Sequence, residues 1–355
     1  MTQGPGTALT TGGRIASLDF ARVAAMLAVV TIHVTSTYLD AASGYLLLGR
    51  NLAFYLNQIT RSSVPLFLLL SGLSLGLAQR PMAAGAFYRR RLSKIGLPYL
   101  FWFAVYFLFE HRGALGAVEP GSVVRSLLMG QAAPHLYFIV ILIQLYLLYP
   151  LLRRAVARWP WATLLVAAFV TYAIGALYLF ERFDVWLIPW QLRPYLWILF
   201  PTWAFYFVAG QTIAARCLPA LERFTRRAAP AILAVGAAGA VLYGTESAVT
   251  GRLDAIKPEL MPFTVLALLC AMSFWTLIDR WGWAQRSCAF LADHAMTIYF
   301  GHVLGIYILR RVPVFHHGMS GMLLLWVATV ALSIPAACVF DAVTRRLGRA
   351  LRRRK

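Results

Sequence analysis

The sequence predicts an all-α, polytopic membrane helix bundle, and three observations predict it. Apolar segments near 20 residues long recur along the chain, each enough to cross a hydrocarbon core of ~30 Å. Only 13% of the 355 residues are charged and 60% are hydrophobic, whereas a soluble chain carries about a quarter charged residues. Basic residues also crowd into alternate loops, the mark of an oriented set of spans. The apolar runs are continuous, without the strict alternation that a membrane β-barrel needs.

Ten spans follow along the chain, at 15–37, 52–79, 96–112, 134–152, 161–181, 195–215, 229–246, 259–278, 287–310 and 319–344. With a cytoplasmic N-terminus, the inner side holds 22 of the 33 Lys and Arg, counting the inner loops, the tails 1–13 and 346–355, and Arg14 and Arg345 at the ends of the first and last spans. The outer side holds 10, and Arg22 lies within the membrane. The positive-inside rule therefore puts both termini in the cytoplasm and fits a multi-pass protein of the plasma membrane, the bacterial inner membrane. Residues 1–13 are small and polar, with no cleavage pattern after them, so the first span reads as retained. The net charge of +20 then orients helices and meets anionic membrane lipids. It does not point to nucleic acid, because no soluble domain presents a basic face. The four cysteines, Cys217, Cys270, Cys288 and Cys338, are isolated and give neither a disulfide framework nor a metal spacing. With no linker or internal repeat, residues 1–355 read as one transmembrane domain.

The first span carries Asp19, Arg22 and His33. Ionisable groups at membrane depth are costly and by default face a bundle interior where they act. At about 100° per residue, Arg22 and His33 fall within ~20° of one face, separated by ~16 Å of rise, and Asp19 lies within ~60° of the same stripe. A neutral imidazole accepts a proton from a hydroxyl and returns it to a leaving group near pH 7. In the second span, Pro65 predicts a kink, and Ser71-Gly72 reads equally as a packing notch or a pocket wall. Ahead of the third span, FYRRRLSKIGLPY concentrates charge. Its Arg91 and Lys94 are i,i+3, and its Arg90 and Lys94 are i,i+4, a spacing suited to an anionic ligand with phosphates. The connection 113–134 contains SVVRSLLMG, read as a short interfacial or re-entrant helix.

The fourth span opens with His135 and Tyr137 at its outer end. In the ninth, Tyr299 and His302 share one face. That pair reads equally as structural or as lining a cavity. His316 and His317, adjacent in a loop, have poor geometry for sharing a metal.

Taken in order, these residues resemble the acyltransferase-3 family of integral membrane O-acyltransferases. Asp19, Arg22 and His33 match its D-x-x-R-x10-H pattern at full spacing, and Val64, Pro65, Leu66, Phe67, Ser71 and Gly72 match its V-P-L-F…S-G element. Arg91 and Lys94 occupy an R-x-x-R element, where the lysine keeps the charge and loses bidentate recognition. Tyr137-Phe138 stands for the family's W-F, and Ile298, Tyr299, Phe300 and His302 stand for its I-Y-L-x-H.

The resemblance implies a ten-helix enzyme that moves an acyl group, commonly acetyl from acetyl-CoA. The acceptor is a hydroxyl of a sugar, lipid-linked glycan or other small molecule. It implies His33 as general base, Arg22 positioning the donor or stabilising oxyanion charge, and Asp19 orienting Arg22. Arg90, Arg91 and Lys94 would take the acyl-CoA phosphates, while Ser71, His135, Tyr137, Tyr299 and His302 would line the pocket. Acyl-CoA enters as a substrate, and no resident cofactor or metal is expected. Some relatives fuse an extracytoplasmic hydrolase-like domain, for which no segment is seen here. The rival reading is a transporter or flippase that uses the same His and Arg as a proton or anion relay. A non-catalytic scaffold or sensor would leave the polar stripe without a purpose.

Overall fold

Helix α1 (Ala16–Ser36) carries the polar stripe of the first span without a break. The computed structural model describes residues 15–39, 52–78, 83–114, 116, 118–180, 193–253, 255–316 and 318–353. Following α1 are α2 (Leu52–Gly76), α3 (Ala84–Glu110), the short α4 (Pro120–Met129), α5 (Tyr137–Arg158) and α6 (Pro160–Phe180). Then come α7 (Ala204–Thr212), α8 (Leu218–Arg227), α9 (Ala229–Thr250), α10 (Leu260–Ile278), α11 (Gly282–Leu309) and α12 (Gly318–Arg353). No strand occurs among the described residues.

Eight helices among the described residues are long and apolar enough to cross a membrane: α1, α2, α3, α5, α6, α9, α10 and most of α12. Eight of the predicted spans coincide with them. The other two are built differently. Span 195–215 is a chain of short pieces: the turn Arg193–Leu196, a 3-10 turn Phe200–Trp203, α7, and a π turn Ile213–Cys217. Pro194 and Pro201 lack backbone donors there, which favours the breaks between these short pieces. Span 287–310 lies within α11, a single 28-residue helix. Its Arg286, Asp293, His294 and His302 make it less apolar than its neighbours.

Helix α1 packs against α2, α10, α11 and α12, which makes it the centre of the bundle. The backbones of α2 and α7 meet directly. A Cβ on Gly72 would lie 2.0 Å from the Phe207 carbonyl oxygen, and one on Gly210 would lie 1.9 Å from that of Leu69. Membrane helices associate through such small-residue crossings because lipid offers no hydrophobic drive between them. The Gly72 half of the Ser71-Gly72 pair is therefore a packing notch. At the periphery, α6 and α9 turn large apolar side chains outward, among them Leu165, Phe169 and Leu242, as a lipid-facing surface requires.

The predicted short helix after the third span is α4, which buries no side chain of its own. It ends at Gly130, whose φ of 65° is the left-handed conformation that stops a helix cleanly. The Tyr99 hydroxyl of α3 donates to the Leu127 carbonyl and ties α4 to the bundle.

Candidate active site

Three histidines from distant parts of the chain meet at the end of α1 away from Arg22. The ring centroids of His33 and His302 are 5.2 Å apart, those of His135 and His302 are 5.0 Å apart, and those of His33 and His135 are 6.0 Å apart. His135 and His302 are buried, whereas His33 is half-buried and lines a cavity of about 360 Å³. His135, Tyr137 and Tyr299 line that cavity too.

Local sequence explains how each ring arrives. His33 sits in the last turn of α1, whose position is fixed by Asn57 of α2. The Asn57 amide nitrogen lies 3.1 Å from the Ile32 carbonyl, 3.1 Å from Thr35 Oγ1 and 2.9 Å from Ser36 Oγ. His135 follows Pro134 in the turn that leads into α5. The Tyr299 hydroxyl donates to the His135 carbonyl and fixes that turn against α11. His302 lies where α11 is opened. The Tyr106 hydroxyl donates to the Phe300 carbonyl at 2.6 Å and accepts from the Leu304 N–H at 3.1 Å. It thus stands between the two ends of an i→i−4 bond, a local insertion of the kind that bends helices. Gly301 admits Trp102 of α3 beside it, where a Cβ would approach the indole to 3.1 Å.

The carbonyls around the rings define their tautomers. His302 Nδ1 lies 2.7 Å from the Tyr299 carbonyl, and His135 Nε2 lies 3.2 Å from that of Phe300. A carbonyl only accepts, so each of these nitrogens carries the hydrogen. His302 Nε2 and His135 Nδ1 are then bare acceptors, buried and without a hydrogen-bond partner. Two unsatisfied acceptors in a buried site are costly, and both belong to rings packed beside that of His33. Among the described residues, no group of three or more His, Cys, Asp or Glu is arranged to hold a metal.

Arg61 also lines this cavity; the charge count put it on the outer side, although it falls inside the second span 52–79. It sits inside α2. Pro65 lacks an N–H and its ring crowds the carbonyl four residues back, which is that of Arg61. The helix tightens there into the 3-10 turn Thr60–Ser62. Arg61 Nη2 donates to Asn57 Oδ1 at 3.2 Å. The rule that singled out Arg22, a charge within an apolar span, would have found it. Ala255, in the loop that joins α9 to α10, closes part of the cavity wall. That loop is pinned by Lys257, a buried cation 2.9 Å from Glu246 Oε2.

The other end of α1 is charged and paired. Arg22 Nη1 is 2.6 Å from Asp19 Oδ1, and Arg22 Nη2 donates to Ser74 Oγ at 3.2 Å. Across from it, the Arg91 guanidinium carbon lies 4.9 Å from the Tyr146 ring centroid and 5.4 Å from that of Phe87. Tyr146 faces Ser71 and lies in the field of both Arg91 and Arg22. The basic cluster therefore divides: Arg91 turns into the bundle, whereas Arg90 and Lys94 are exposed. A π turn at Leu92–Gly96 interrupts the α-helical register that the i,i+3 spacing assumed.

An apolar helical frame with ionisable side chains gathered inside it defines a polytopic membrane protein built around an internal site. A model of an acyltransferase domain family, acyltransferase-3, matches residues 15–342, nearly the whole chain, and the protein belongs to that family. It is a multi-pass membrane acyltransferase. No curated protein and no solved structure matches the chain.

Proposed function

We propose that the protein moves an acyl group, acetyl in the simplest case, from cytoplasmic acyl-CoA to a hydroxyl of a glycan, lipid-linked sugar or other small acceptor, in the plasma membrane. The observation that supports this most is the meeting of His33, His135 and His302 at one cavity, on the helix that carries Arg22 at its opposite end. The donor enters at the charged end, with its phosphates at Arg91 and with Arg90 and Lys94 at the rim. Its pantetheine arm runs along α1, over a rise of ~16 Å from Arg22 to His33. Asp19 keeps Arg22 oriented toward the donor.

His33 is the base because it alone of the three both lines the cavity and stays short of full burial. The acceptor hydroxyl gives its proton to His33 as its oxygen attacks the thioester carbonyl. The C–S bond then breaks, and His33 returns the proton to the CoA sulfur. Arg61, in the same cavity, is the cation in reach of the developing oxyanion. The bare nitrogens of His135 and His302, on rings 6.0 and 5.2 Å from that of His33, accept from its N–H or from the acceptor hydroxyl and hold it in line.

The test is CoA release from labelled acetyl-CoA by purified protein in detergent, with a panel of candidate glycans. Release that depends on acceptor and is lost in a folded His33→Ala variant supports the reading. Wild-type protein that releases no CoA with any acceptor, yet moves a substrate across proteoliposomes, would replace it with the transporter reading.

A further inference from the structure

Beside the histidine cavity lies a second one, of about 500 Å³, and the two share Thr37, Ile306 and Tyr307. Thr37 is one helical turn beyond His33. The second cavity is lined by Arg112, Arg310 and Arg311, with Glu110 as the one acid among its lining residues. The guanidinium carbons of Arg112 and Arg311 lie 4.7 Å and 5.5 Å from the centroid of the same ring, Phe109, which stacks on Tyr307 at 5.9 Å. Arg310 lies 5.4 Å from the Tyr38 ring and donates to the Phe315 carbonyl at 3.3 Å. Arg112 donates to the Phe109 carbonyl at 2.7 Å.

Aromatic faces and backbone carbonyls orient these guanidiniums without neutralising them. None of the three forms an ion pair among the described residues. Three cations beside one carboxylate repel each other, and low-dielectric walls focus their field on the cavity. They also stand at the end of the bundle that the positive-inside rule depletes of arginine, so topology gives no reason for them. Most of their N–H donors remain unused, in the fork geometry that takes phosphate or carboxylate oxygens in pairs.

We infer that this cavity binds an anionic group of the acceptor, a phosphate or carboxylate, while the acceptor hydroxyl reaches His33. The inference rests on the acyl-transfer reading and names its substrate class.

The test has a binding arm and a transfer arm. Pyrophosphate binding is measured by calorimetry with the donor end saturated by CoA, in wild type, His33→Ala and the double variant Arg112→Gln/Arg311→Gln. Wild type and His33→Ala should bind alike, and the double variant at least tenfold more weakly. In the transfer arm, glucose 1-phosphate should be preferred to methyl glucoside as acceptor at least tenfold. That preference should vanish in the double variant. In wild type alone it should shrink as salt rises toward 1 M, a readout that does not require the variant to fold. Undiminished pyrophosphate binding by a folded double variant overturns the inference, as does a wild-type preference indifferent to salt. Competition by phosphatidylglycerol vesicles, with no acceptor preference, assigns the site to a lipid headgroup and overturns the acceptor role. Pyrophosphate binding without any acyl transfer sinks the acyl-transfer reading and leaves the anion site standing.

Discussion

The two ends of α1 handle polarity inside a membrane in opposite ways. At one end Arg22 keeps its charge, with Asp19 at 2.6 Å and nearly a third of its side chain exposed. A paired, partly hydrated ion near a helix end costs little, since its long stem carries the charge toward water. At the other end, two of the three imidazoles are buried, with bare nitrogens that nothing among the described residues satisfies. A group left unsatisfied by its own fold is provided for by its ligand or by its reaction. On the proposed reading, the charged end is an electrostatic platform for the anionic donor, and the histidine end is a hydrogen-bond network that the acceptor would complete. That reading divides donor docking and proton transfer between the two ends of one helix.

The hardest test of that division is His33→Ala. Loss of a general base should lower kcat by about 10²–10⁴, with acyl-CoA affinity unchanged, since Arg22 and Arg91 are untouched. Acyl-CoA binding by calorimetry beside CoA release checks both halves, and a parallel loss of donor affinity would merge the two ends into one site. Next in size is Arg22→Gln. It removes charge-assisted hydrogen bonds worth about 1.5–3 kcal/mol, roughly 10–100-fold in affinity. The loss should appear in the KM for acyl-CoA and leave the acceptor KM alone. A smaller effect is expected from His302→Phe, which keeps an aromatic ring there and deletes the bare Nε2 acceptor together with the local Nδ1–H bond to the Tyr299 carbonyl. At about 0.5–1.5 kcal/mol for such a bond, kcat should fall roughly threefold to tenfold with donor KM unchanged. A rise in donor KM would mean that His302 only supports the fold.

The helical frame was legible because hydropathy and loop charge are local quantities: each apolar run announces its own span. Asp19, Arg22 and His33 were legible for a related reason, since one unbroken helix converts their spacing directly into a shared face. The convergence of His135 and His302 on His33 was not. These residues lie 102 and 269 positions from His33 in sequence, and only the packing of α1 against α11 and the turn before α5 brings the rings together. The family resemblance put both in the pocket lining, but by spacing alone His135 stood only at an outer helix end and His302 only in a local pair with Tyr299, so neither was tied to His33. Arg61 lay inside the predicted span 52–79 but was passed over because it was counted among the outer charges; the 3-10 turn ahead of Pro65 sets it at the cavity wall. The backbone insertion of Tyr106 into α11 has no signature in sequence, because an interior tyrosine reads the same whether its hydroxyl meets a side chain or a distant carbonyl.

The smallest predicted effect sharpens the charged end. Sequence spacing gave Arg90, Arg91 and Lys94 equal standing as phosphate ligands. The π turn at Leu92–Gly96 breaks their common register, and Arg91 alone stacks on Tyr146 and Phe87. An exposed charge contributes ~0–1 kcal/mol at most to such an interaction, whereas a desolvated cation over an aromatic face reaches about 2 kcal/mol. Lys94→Ala should therefore raise the KM for acyl-CoA by no more than about fivefold, with a further decrease in its effect as salt increases. Arg91→Ala should raise it by more than tenfold and respond weakly to salt. Steady-state kinetics of both variants at low and high ionic strength decide the matter. If Lys94→Ala proves the more damaging, the donor phosphates sit on the exposed rim, and the platform at the charged end of α1 begins outside the bundle instead of within it.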